Sequence, residues 1–161
     1  MIIKGNILNV FTDEIYPGEI EIEHGIIQSI KEVNKDFNDI IVPGFIDAHV
    51  HIESSMVTPS RFAEIALKHG TTSVVADPHE IANVMGVEGI DYMVNDAKHT
   101  PLKFYFSAPS CVPTTKYETS GAEIDSEIID NLLSRPEFVS LGEVMDYYGV
   151  INENKNIISK I

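Results

Sequence analysis

Apolar positions are grouped in two different ways along the 161 residues. Over residues 1–42 they come in short runs. Ile2, Ile3, Ile7, Leu8 and Val10 are followed by Glu19-Ile20-Glu21-Ile22-Glu23, where apolar and charged residues alternate strictly. A period of two is that of a strand with one buried face. Pro17-Gly18 and His24-Gly25 read as turns, and Ile26-Ile27-Gln28-Ser29-Ile30 as a returning strand. The expected product is a β meander with too few strands to close a sandwich alone.

From Val42 onward, apolar strands alternate with segments of helical spacing. Pro43-Gly44 opens Phe45–His51, and further strands are expected at Thr72–Asp77, Phe104–Ala108 and Phe138–Glu143. Between them, Thr58 reads as a helix cap and Pro59 as a first helical residue, with Phe62, Ile65, Ala66 and His69 on one face and Gly70 as the stop. Val87, Ile90, Met93, Val94 and Ala97 mark a second helix. Ile128, Ile129, Leu132 and Leu133 mark a third that stops near Pro136.

Strand starts near 45, 72, 104 and 138 have the spacing of βα units, and continuous apolar strands suit a parallel sheet covered by helices. Either a doubly wound sheet or a (β/α)₈ barrel gives this pattern. No glycine-rich dinucleotide fingerprint or P-loop is present, and polar residues gather where each strand ends: His49 and His51, Asp77 and His79, Ser110 and Cys111, Glu143. A barrel puts its active site at those carboxyl ends, so the barrel is the expected architecture.

Composition narrows the partners. Twenty-five acidic against 11 basic side chains give a net charge of −14, which argues against nucleic acid or an anionic membrane and suits a site for metal cations. One cysteine, Cys111, leaves no disulfide framework and no all-cysteine zinc site; it reads as a packed small residue. No run approaches the ~18 apolar residues of a membrane span, and the N-terminus lacks a signal-peptide layout, so a cytoplasmic protein is expected.

Asp47, His49 and His51 stand at i, i+2 and i+4, so in a strand all three share one face. Two imidazoles side by side at a strand end can chelate one metal ion. Taken alone the pair reads equally well as one core histidine and one solvated one. Glu143 alone reads as a salt-bridged or solvated strand-end carboxylate. Asp77-Pro78 reads either as a turn and helix entry or, with His79 and Glu80, as a group facing the site that orients ligand imidazoles or binds a further ion. Glu53, Ser54 and Ser55 are candidates for a substrate pocket or a plain loop. His24, His69 and His99 read as structural, and the acidic stretch 118–130 as a solvated loop and helix face.

Pro43-Gly44-Phe45-Ile46-Asp47-Ala48-His49-Val50-His51 resembles the first barrel strand of the amidohydrolase superfamily. Ile52–Met56, Asp77–Val84, Ser110–Pro113 and Gly142–Tyr147 follow in the order and spacing of the adenine deaminase family within it. That resemblance implies an α/β fold: the N-terminal part of a (β/α)₈ TIM-type barrel over residues 43–161, about four βα units, preceded at 1–42 by strands of a composite β-sandwich domain. It implies a binuclear divalent metal hydrolase, with manganese or iron(II) favoured and zinc compatible, converting adenine and water to hypoxanthine and ammonia. His49 and His51 would hold one metal, and Glu143 would bridge both. The full-length enzyme would be a homo-oligomer acting on a small purine.

The family also requires histidines from strands five and six and an aspartate from strand eight as general acid–base. A whole barrel takes ~250 residues. The expectation is therefore an N-terminal portion whose catalytic aspartate lies beyond Ile161 and which is inactive alone. Two other readings stand beside it: another amidohydrolase, such as a deacetylase or a cyclic amidohydrolase, and a non-catalytic metal-binding module.

Overall fold

A computed structural model describes all residues, 1–161, and divides them into two compact units, Met1–Pro43 and Gly44–Ile161. The first is a four-stranded sheet of β1 (Ile2–Asn9), β2 (Glu14–Glu23), β3 (Ile26–Glu32) and the two-residue β4 (Ile40–Ile41), in the order β3-β2-β1-β4. The β1-β2 and β2-β3 pairs are antiparallel and β1-β4 is parallel. His24 and Gly25 turn the β2-β3 hairpin with φ of +50° and +77°, the left-handed pair of a two-residue hairpin whose twist matches its strands.

Pro17-Gly18 is not a turn. Both residues lie inside β2, opposite Asn6 and Gly5, and the chain reverses instead at residues 10–13, where Asp13 has φ +58°. Pro17 is tolerated because its carbonyl faces the end of β3, accepting from the Val33 N–H at 2.9 Å beyond Glu32. The donor that proline lacks is therefore not needed by the ladder. Strict alternation buries Ile20 and Ile7 on one face, while Ile27 and Ile30 of that unit remain about half exposed.

In the second unit four strands pair in parallel and in chain order: β5 (Phe45–Val50), β6 (Thr71–Ala76), β7 (Lys103–Ala108) and β8 (Phe138–Leu141). A doubly wound sheet reverses direction at a switch point, and this sheet does not. The helices are α1 (Pro59–Ala66), α2 (His79–Met85), α3 (Val87–Ala97), α4 (Ser126–Leu133), α5 (Tyr147–Ile151) and α6 (Lys155–Ile158). Ile90, Met93, Val94 and Ala97 of α3 and Ile129 and Leu132 of α4 pack with Ala76, Phe106 and Ala108 of the sheet in one buried cluster. The periodicity read from sequence thus marks the faces that meet. No helix is long and apolar enough to cross a membrane.

Local details depart from the sequence reading. Thr58 occupies the α1 cap position, but its side chain makes no capping bond. Asp96, in α3, does that work from outside the helix, accepting from the Ser60 N–H at 2.7 Å and the Ser60 hydroxyl at 3.1 Å. Ile65 and His69 point to solvent; Phe62, Ala63 and Ala66 make the buried face. Strands β5 and β8 stop at Val50 and Leu141, so His51 and Glu143 sit just past their strands.

Candidate metal centre

Each strand of the second sheet delivers a polar residue at its carboxyl end. His51 follows β5, Asp77 follows β6, Ser110 follows β7 and Glu143 follows β8. His49 remains on β5, its N–H donating to Asp47 Oδ1 at 3.2 Å. The two imidazoles meet edge to face, with their Nε2 atoms 3.0 Å apart. Glu143 Oε1 lies 3.2 Å from His51 Nε2 and 3.4 Å from His49 Nε2.

That spacing fits a cation. Donors about 2.1 Å from a shared divalent ion, at angles of about 90–110°, stand about 3.0–3.4 Å apart. The tautomer of His51 is also set. Only an N–H can face a carbonyl, and His51 Nδ1 sits 3.1 Å from the Asp77 carbonyl oxygen. Nε2 is therefore left with its lone pair directed at His49 and Glu143.

Around this trio lies a second ring of donors. His51, His79 and Glu80 form one group with ligand atoms within 4.8 Å of one another, and Asp77, His79 and Glu143 form another. Glu143 thus belongs to two groups, as a carboxylate with two oxygens permits. Asp77 is 1% exposed, and its Oδ1, like His79 Nδ1 and Glu80 Oε2, is buried with no hydrogen-bond partner. Buried polar atoms are ordinarily paired, so these open valences also fit bound cations or a polar ligand. His79 Nδ1 and Asp77 Oδ1 are 3.6 Å apart, an ion-pair distance and too long for a hydrogen bond. The Asp77 carboxylate nonetheless holds the His79 imidazole above its ordinary pKa, against the opposing effect of burial, with Glu80 and Glu143 assisting.

Asp77-Pro78 proves to be a helix entry, with His79 and Glu80 opening α2. Glu53–Ser55 form one turn of 3₁₀ helix packed against that entry. The Ser54 hydroxyl donates to Glu80 Oε1 at 2.7 Å, and the Ile81 N–H donates to Glu53 Oε1 at 3.3 Å. Burial pushes the Glu53 carboxyl above its usual range despite that donor. His24, His69 and His99 belong to none of these groups.

Glu143 is held by its main chain. The Ser110 hydroxyl donates to the Glu143 carbonyl, and the Gly142 N–H donates to the Ala108 carbonyl at 2.7 Å. A Cβ at Gly142 would lie 2.5 Å from Asp77 Oδ2, so only glycine lets β8 pass this carboxylate. Sequence inspection missed Ser110 as a partner of Glu143 and the Asp77 carbonyl as a partner of His51. Neither leaves a signal in the chain, because one acts over 33 residues and the other through a main-chain atom.

Residues 40–157 match the model of the amidohydrolase family. The chain is 81% identical over 161 residues to the adenine deaminase of Methanosphaera stadtmanae. It is 55% identical over 159 residues to that of Methanothermobacter thermautotrophicus, and 48% over 161 residues to that of Borreliella afzelii. These alignments take in 99–100% of this chain, which spans about 30% of the length of each relative. A consecutive parallel sheet with histidines and carboxylates converging at its carboxyl ends, matched over 40–157, means that this chain belongs to the amidohydrolase family.

Proposed function

We propose that this chain supplies the first metal-binding strands of an adenine deaminase, which hydrolyses adenine to hypoxanthine and ammonia. The observation that carries this reading is the convergence of His49 Nε2, His51 Nε2 and Glu143 Oε1 within 3.0–3.4 Å of one another at the ends of the outermost strands. The 81% identity to a protein of that name supports the substrate. Strands β5 to β8 would be the first four of a (β/α)₈ barrel at 43–161, and residues 1–42 part of a separate β domain.

In this reading His49 and His51 would hold one divalent ion, manganese or iron(II) before zinc, and the Glu143 carboxylate would serve a pair of such ions. The Asp77 carbonyl keeps the His51 ring in the ligating tautomer. Lewis acidity toward the purine and a nucleophile drawn from water near neutral pH are what bound metals contribute. Asp77, His79 and Glu80 stand beside these ligands as orienting partners or as donors to a further ion or the purine, with Ser54 holding Glu80 and Glu53 holding the Ile81 N–H of the same helix entry. The remaining ligands and the general acid–base carboxylate come from sequence outside these 161 residues, which take up about 30% of the relatives' length.

The test is ammonia release from adenine by the full-length protein loaded with manganese, iron(II) or zinc. Release that disappears on chelation is the expected result. Metal-loaded protein that leaves adenine intact overturns the substrate assignment.

A further inference from the structure

Lys160 is buried, with 8% of its surface exposed, and makes no ion pair. Its Nζ instead donates to two main-chain carbonyls, Ser110 at 3.0 Å and Ile124 at 2.5 Å. Withdrawing an ammonium from water with no counter-ion is unfavourable, and burial lowers the pKa of this amine accordingly. An apolar side chain of similar length would fill the same space at no such cost, so packing alone does not account for the amine.

What the amine holds is the loop after β7. Ser110 and Ile124 lie at the two ends of that loop, which is closed by the Ile124 N–H donating to the Val112 carbonyl at 3.0 Å. Ser110 is itself 2% exposed, and its hydroxyl donates to the Glu143 carbonyl. One residue on, Cys111 Sγ accepts the Asp146 N–H at 3.4 Å. Residues 143–146 therefore hang from the loop that Lys160 clamps.

We propose that Lys160 is a positioning residue for the Glu143 carboxylate. Its ammonium fixes the Ser110 carbonyl, the Ser110 hydroxyl fixes the Glu143 main chain, and the Glu143 carboxylate is thereby held at the two imidazoles. The inference rests on the assignment of Glu143 as a metal ligand. Partners one layer behind a ligand typically govern about 10–100-fold in metal affinity.

The experiment measures Mn²⁺ retention by the full-length protein under chelator competition. It compares wild type, Lys160→Met, Ser110→Ala and the double variant, with thermal melting alongside. Each single variant is expected to lose about tenfold in retention, and the double variant no more than the weaker single, because both act on one path. Ser110→Ala removes one hydroxyl and leaves the Lys160 contacts in place. Wild-type retention in that variant overturns the proposal even if Lys160→Met does not fold. A folded Lys160→Met protein with lowered melting and unchanged retention also overturns it, as do strictly additive losses. If wild type itself holds no Mn²⁺, the metal assignment fails first, which is seen before any variant is compared.

Discussion

His51 is the most constrained side chain of the cluster. Its Nδ1 is committed to the Asp77 carbonyl and its Nε2 to the space between His49 and Glu143. His49 has one fixed partner fewer and is more exposed, its side chain 45% accessible against 22% for His51. His49→Ala combined with His51→Ala is expected to reduce specific divalent binding to the level of surface carboxylates. Calorimetric titration of the full-length protein with Mn²⁺ checks this, and stoichiometric binding retained by the double variant would contradict it. The i, i+2 spacing of these histidines was legible in the chain. Glu143, 92 residues from His51, was expected beside them from its strand-end position and its motif, although no local spacing ties it to the histidines.

Elements of this protein are joined by polar contacts that their own sequences do not announce. Asp96 caps α1 from α3, substituting for the Thr58 side chain. Burial tends to raise the Asp96 carboxyl, but the Ser60 N–H and hydroxyl, with Thr58, outweigh it and hold the pKa below its ordinary value. A carboxylate whose folded pKa is depressed contributes stability above its unfolded pKa of about 3.9 and loses it as pH falls through the folded value. Asp96→Ala is expected to cost about 1 kcal/mol at neutral pH, the usual worth of a lost cap, and less in acid. Thermal melting at pH 7 and near pH 3 reads this out, and an equal loss at both would place the effect elsewhere. Helical spacing identified α3 and α4 because their stripes face the sheet, whereas α2 was hidden in a helix-entry signal that also reads as a turn. Ile65 falls on the expected stripe of α1 and is nevertheless 59% exposed, because the smaller Ala63 meets the sheet in its place.

Viewed whole, the second unit carries two unpaired sheet edges, β5 and β8. Phe45 and Ile46 of β5 are 59% and 69% exposed, and Val139 of β8 is 53% exposed. Open parallel edges bearing large apolar side chains invite strand pairing with another chain. The 161-residue chain expressed by itself is therefore expected to self-associate, as read by sedimentation velocity. A monodisperse monomer that melts cooperatively would show that these edges need no partner. The chain by itself determined the four strands of the second unit and the helices α1, α3 and α4, because burial on a pleated or helical face imposes a period on the sequence. It determined the residue types of the site as well. The tertiary structure alone decided the Pro17 strand position, the Asp96 cap and the path from Lys160 through Ser110 to Glu143. These depend on which main-chain atoms are left without partners once the sheet has formed, and no local sequence period encodes that.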